Sequence, residues 1–148
     1  MIYLGADHRG FELKEKIKQW LGEWGEEYED MGNEKYDKSD DYVDYAKKVG
    51  EKVGEGRDKG ILICGSGVGV NVVVNKYKGV RGMMGLNEKQ VKHGIGSDKV
   101  NVLSLASNHV VEIEAKNMIK SFLETQFKGE ERHLRRLEKI KKIEEARH

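Results

Sequence analysis

The chain has 148 residues, with 27 Lys and Arg against 26 Asp and Glu, a formal net charge of +1, 37% apolar residues, one cysteine and no proline. The near-neutral balance excludes a bulk nucleic-acid or anionic-membrane binder, no run reaches the ~20 apolar residues of a membrane span, and a lone cysteine excludes an internal disulfide. The opening MIYLGADHRGFELKEK has no basic segment followed by a long apolar one, so no signal peptide is expected, and a soluble protein in a reducing, cytoplasmic setting is predicted.

MIYLGAD reads as a strand entering a loop. Leu13, Ile17, Trp20, Leu21 and Trp24 recur at helical spacing, and Gly25 can end that helix. EEYEDMG reads as a weak second strand. Ser39 is placed to cap a helix whose inner face is Tyr42, Ala46, Val49 and Val53. GILIC, residues 60–64, is a continuous apolar strand of the kind that parallel sheets cover on both faces. The valines of VNVVVNKYKG favour a strand, but the alternation of elements around this segment predicts a helix. GVRGMMG is a short fourth strand, NEKQVKHG a short helix and NVLSLAS a fifth strand. Asn108 then opens a helix with Val111, Ala115, Met118 and Phe122 inward. EERHLRRLEKIKKIEEARH is a charged helix with Leu134, Leu137, Ile140 and Ile143 at three-residue steps. Strand–helix alternation predicts an α/β fold with a mainly parallel sheet, in one domain over residues 1–148.

In such sheets ligands bind beyond the carboxyl ends of the strands. Asp7, His8, Cys64, Ser66 and Asn108 fall in the loops expected there. Cys64 is either a small apolar residue closing its strand or a nucleophile or base above a loop of peptide N–H groups. Gly65, Gly67 and Gly69 let a ligand approach the backbone, and the N–H groups at the start of the next helix suit an anion; a plain turn is the competing reading. The spacing fits neither a Walker loop nor the dinucleotide fingerprint. Asp7-His8 is either a capped turn or an acid–base pair. Arg132 and Arg136 share a helix face and suit a phosphate, or belong to a solvated charged face. The five histidines are scattered without metal-ligand spacing, so no metal is expected, and no nucleophile-elbow pattern occurs.

The stretches GADHRGFELK, DYVDYAKKV, GILICGSGVGVNVVVNKYKGVRG, NVLSLAS and RHLRR follow one another over nearly the whole chain. Together they resemble the type B ribose-5-phosphate isomerases and their galactose-6-phosphate isomerase relatives. The resemblance implies a three-layer α/β/α sandwich with a five-stranded parallel sheet. It implies a homodimer or tetramer with active sites composed across the subunit interface, and no cofactor or metal. The implied activity is aldose–ketose isomerisation of a small phosphorylated sugar through an enediolate, ribose 5-phosphate to ribulose 5-phosphate by default. Cys64 then matches the base that moves a proton between C1 and C2, with the Ser66 hydroxyl beside it. Gly65, Gly67, Val68 and Gly69 match the loop whose N–H groups hold the enediolate oxygen, and Asp7 and His8 match substrate-binding positions. Arg132 and Arg136 match phosphate-binding arginines contributed across the dimer, on a C-terminal helix over residues 130–148 that packs on a partner subunit.

The sequence also departs from the family pattern. Ser97 and Asp98 occupy substrate-binding positions where the family has histidine and asparagine, so the ring-opening histidine falls on Ser97. The family arginine after the last strand falls on Asn108, the proline of DYPDYA on Val43, and the loop threonine on Ser66. His93, four residues before Ser97, is placed to compensate on a regular helix. These departures leave room for a changed substrate (a tetrose or hexose phosphate) or for a weakly active or non-catalytic sugar-phosphate-binding subunit. A nucleotide-binding flavodoxin-like module is a more distant alternative.

Overall fold

The structure, a computed structural model, describes residues 1–147. The apolar run ending in Cys64 forms the central strand β3 (Lys59–Cys64) of one parallel sheet. It lies between β1 (Ile2–Ala6) and β5 (Val102–Ala106), and the short strands β2 (Tyr28–Asp30) and β4 (Gly82–Met84) form the edges. The order is β2-β1-β3-β5-β4 with every pairing parallel. A parallel sheet needs crossovers that cover both faces, and the side chains of β3 divide accordingly. Ile61 and Ile63 pack under α1 (Phe11–Glu23), α4 (Glu88–Asp98) and α5 (Glu112–Glu124). Leu62 and Cys64 pack under α2 (Tyr42–Gly54) and α3 (Val68–Val74). Leu62 and Ile63 are both fully buried, each contributing about 1.5–3 kcal/mol of transfer free energy. The result is the expected α/β/α sandwich on a five-stranded parallel sheet.

Several local expectations need correction. The cap of α2 is Asp41, whose carboxylate accepts from the Val43 N–H at 3.1 Å; Ser39 instead bonds Asp37. Tyr42 is exposed, while Ala46, Val49 and Val53 form the buried face as predicted. Helix α5 is preceded by Val111, itself exposed, rather than opened by Asn108. The valine-rich segment is helical despite its propensity, though only seven residues long. Helix α4 outruns NEKQVKHG, continuing through Gly96 to Asp98, and Gly94 within it packs against Met83, where a Cβ would lie 2.6 Å from the sulfur.

A sixth helix, α6 (Glu131–Arg147), lies outside the sandwich near α4 and the loop before β4. The Gly79 N–H donates to Glu144 at 2.7 Å, and His133 is buried beside Phe127. Leu134, Ile140 and Ile143 stay 53%, 45% and 63% exposed, so most of the predicted apolar stripe is uncovered in a single chain. His148, the last residue of the predicted helix, lies outside the described residues. No helix among the described residues is long and apolar enough to cross a membrane.

Candidate active site

Chain order reverses direction around β1 and β3, and a crevice beyond their carboxyl ends is the geometric consequence. The loop after β1 begins with Asp7, buried, whose Oδ1 accepts from the Arg9 and Gly10 N–H groups at 3.0 and 3.1 Å. Asp7 therefore caps its turn, the blander of the two readings for this residue. His8 does more. Its N–H donates to Asp40 Oδ1 at 2.9 Å and its Nδ1 lies 2.8 Å from the same oxygen, while Asn33 Nδ2 donates to Asp40 Oδ2 at 3.0 Å. A carboxylate can only accept, so Nδ1 carries the proton and Nε2 is left as the basic nitrogen of the neutral ring. The helix behind this loop is anchored by Lys14, fully buried, whose Nζ donates to Asp30 of β2 at 2.6 Å.

The loop after β3 carries the thiol. Cys64 is 4% exposed, and the Gly67 N–H donates to its Sγ at 3.2 Å. Gly67 has φ +73°, and an added Cβ would stand 3.1 Å from the Leu105 carbonyl carbon. Only glycine fits that left-handed, crowded position. The Val68 N–H bonds the Ser66 Oγ at 3.2 Å. Among the described residues no hydrogen bond takes the N–H of Gly65, Ser66 or Gly69. Because α3 is so short, these individual donors, rather than a helix dipole, are what the loop offers an oxyanion. The third loop, after β5, is tied to the second: the Asn108 N–H donates to the Gly65 carbonyl at 3.0 Å.

Of the residues expected from sequence, Asp7, His8, Cys64, Gly65, Ser66, Gly69 and Asn108 line one cleft of about 420 Å³. Gly67 and Val68 sit in its glycine loop without lining it. The cleft also includes Arg9, Asp40, Asp41 and Tyr42, which sequence reading missed; the Tyr42 ring lies where a side chain on Gly69 would collide with it. A neighbouring hollow of about 640 Å³ shares His8 and Arg9 but has neither thiol nor glycine loop. Ligand-type atoms of Asp7, His8 and Asp40 lie within 4.8 Å of one another. Both oxygens of Asp40 and one of Asp7 are already engaged by N–H donors, which fits a network orienting His8 better than an ion's coordination sphere.

Four expected residues are not brought to this cleft within the chain. Ser97 and Asp98 form the last turn of α4, just before β5 begins, whereas the cleft lies beyond the other end of β5. Asp98 lines a separate hollow with Arg81 and Glu144, and His93, also on α4, is exposed. Arg132, paired with Glu130, and Arg136 project from exposed positions on α6.

A family model described as Ribose/Galactose Isomerase matches residues 2–140. The chain is 39% identical over 145 residues to the probable ribose-5-phosphate isomerase B of Mycoplasma genitalium, covering 97% of this chain and 95% of that protein. It is 38% identical over 148 residues to ribose-5-phosphate isomerase B of Escherichia coli, covering 99% and 97%. The crystal structure of the Mycoplasma genitalium enzyme with bound ribulose-5-phosphate superposes with a TM-score of 0.93 at 38% identity, covering 97% of this chain and 95% of that one. Sheet order, the thiol-bearing glycine loop and a match running from β1 into the last helix agree in one conclusion: the chain belongs to the ribose/galactose isomerase family.

Proposed function

We propose that the protein is a metal-independent aldose–ketose isomerase that interconverts ribose 5-phosphate and ribulose 5-phosphate. The observation that carries this reading is the single thiol, held by the Gly67 N–H above a loop with three uncommitted peptide N–H groups. Isomerisation removes a proton alpha to a carbonyl, which requires a base near C1 and C2 and donors aimed at the developing oxyanion. Cys64, as thiolate, takes the proton from C2 of the open-chain aldose. The electron pair forms the C1–C2 double bond of an enediolate, whose negative oxygen is held by the N–H groups of Gly65, Ser66 and Gly69. The Ser66 hydroxyl relays a proton between O2 and O1, and Cys64 returns its proton to C1 to give the ketose.

A closed sugar ring must first open. Ser97 and His93, neighbours on the regular helix α4, lie before β5 and away from the cleft, whereas the His8–Asp40 pair lines the cleft with Cys64. His8 Nε2 takes the anomeric proton and delivers it to the ring oxygen, with Asp40 stabilising the imidazolium formed in between. Arg132 and Arg136 reach the site from a partner subunit in a homodimer or tetramer, whose interface covers the exposed Leu134, Ile140 and Ile143 of the C-terminal helix. A cytoplasmic location keeps the thiol reduced.

A second reading is a weakly active sugar-phosphate-binding subunit, favoured by the serine at 97 and the asparagine at 108. Incubation of the purified protein with tetrose, pentose and hexose phosphates, followed by NMR, separates the two. The first reading predicts ribose 5-phosphate interconversion that persists in EDTA. Binding without interconversion supports the second, and activity lost in EDTA and restored by a divalent ion overturns the metal-free mechanism.

A further inference from the structure

We infer that Arg9 is a phosphate-binding residue of this cleft, contributed by the same chain as Cys64. The inference deepens the isomerase reading and rests on it. Three aspartates line the cleft, and Arg9 is the only arginine or lysine among the described residues that does so. A phosphorylated sugar is an anion, so the cleft needs a cation where the substrate enters.

Arg9 is built to supply it. Its N–H donates to Asp7 Oδ1 at 3.0 Å, and its carbonyl accepts from Ser107 Oγ at 2.9 Å, so the stem is fixed on both sides. The side chain then crosses the bare backbone of Gly65. A Cβ on Gly65 would stand 2.8 Å from Arg9 Cδ, 3.2 Å from Arg9 Nη1 and 2.9 Å from Asn108 Nδ2. Two side chains from different loops therefore meet over the residue that follows the thiol, and a glycine is what lets them. Among the described residues, the Arg9 guanidinium makes no ion pair and donates no hydrogen bond. Arg81, by contrast, donates to backbone carbonyls and Arg132 pairs with Glu130. All the N–H donors of Arg9 remain for a ligand, in the planar fork that grips phosphate with paired bonds. The Asn108 amide adds a neutral donor beside it. The cation absent from position 108 is thus provided from the loop after β1, at the same spot over Gly65.

Steady-state kinetics of the full-length protein test this, using ribose 5-phosphate as substrate and inorganic phosphate as competitive inhibitor. Arg9→Gln should raise KM and the phosphate inhibition constant together, by roughly ten- to a hundredfold for a lost charge-assisted hydrogen bond, with kcat changing far less. Arg9→Lys should restore part of the loss. Adding Asn108→Arg to Arg9→Gln should restore more, since that guanidinium starts from the same place. An unchanged KM and inhibition constant in Arg9→Gln overturns the inference. So does a fall in kcat at constant KM, which would put Arg9 on the reacting carbons. Should the wild type turn over no sugar phosphate, the isomerase reading fails, and calorimetric titration with ribose 5-phosphate still decides Arg9. Weaker binding by Arg9→Gln then supports it, and equal binding overturns it.

Discussion

Replacing Asp40 by Asn isolates the part played by the His8–Asp40 pair. The asparagine keeps the shape and an acceptor for the His8 N–H, now at 2.9 Å from Asp40 Oδ1, removes the charge, and turns the oxygen that accepts from Asn33 Nδ2 into a donor. Asp40 is 5% exposed on its side chain, and His8 24%, so little water is present to screen the lost charge. A hydrogen bond to a charged group is worth about 1.5–3 kcal/mol, so if that stabilisation is felt mainly when His8 becomes imidazolium, turnover falls roughly ten- to a hundredfold. The loss should depend on the substrate. Ribose 5-phosphate arrives as a closed ring and needs the proton transfer that His8 performs. Erythrose 4-phosphate cannot close a furanose ring, because its terminal oxygen carries the phosphate, and bypasses that step. Ketose formation followed by NMR should therefore show kcat/KM falling for ribose 5-phosphate and nearly unchanged for the tetrose phosphate. An equal fall for both would place His8 in binding or in the C1/C2 chemistry, and no fall for either would remove it from the mechanism.

Gly67→Ala forces a left-handed alanine at about 1–2 kcal/mol, which lowers Tm by about 2–8 °C in a chain of this size, and it should reduce kcat by displacing the donor to Cys64; an unchanged melt and rate would show that the loop tolerates the side chain. Burial alone would raise the Asp30 carboxyl, but hydrogen bonds from Lys14, the Gly32 N–H and Lys18 outweigh it and hold its pKa below the ordinary 3.8. A depressed folded-state pKa contributes stability above the unfolded value that is lost as pH falls through the folded one. Urea unfolding should therefore show Asp30→Asn less stable than wild type at pH 7, with the gap closing below about pH 4; a constant gap would contradict the ion-pair account. Arg136→Ala, on an exposed helix position, should fold normally and raise KM roughly ten- to a hundredfold if it grips phosphate from a partner subunit; unaltered kinetics would place the phosphate elsewhere.

The sheet was readable because β3 is apolar on both faces, a pattern only a covered parallel strand requires. The valine-rich α3 was readable only from the elements around it, since its own propensity points the other way. Caps were harder. Ser39, Asp40 and Asp41 are adjacent candidates, and which of them caps α2 depends on Asp40 being drawn away to His8, a contact 32 residues distant in sequence. No local spacing announces such a pair. The acidic run after β2 was the available signal, since it lies at the carboxyl end of a strand. Arg9 was hidden for the same reason: its significance comes from meeting Asn108 over Gly65, across three loops. Ser97 and Asp98 matched binding positions by resemblance, but the chain holds them at the end of β5 opposite the cleft, a separation that residue spacing does not show.

Solvent-proton exchange tests Cys64 as the base of an enediolate isomerisation without requiring net turnover. Wild type and Cys64→Ala would each be incubated with ribulose 5-phosphate in D2O and followed by NMR, with circular dichroism to verify the fold. Wild type should exchange deuterium into C1 and form ribose 5-phosphate, while folded Cys64→Ala should do neither yet still bind the sugar phosphate. Exchange and isomerisation by Cys64→Ala at the wild-type rate would put the base elsewhere in the cleft.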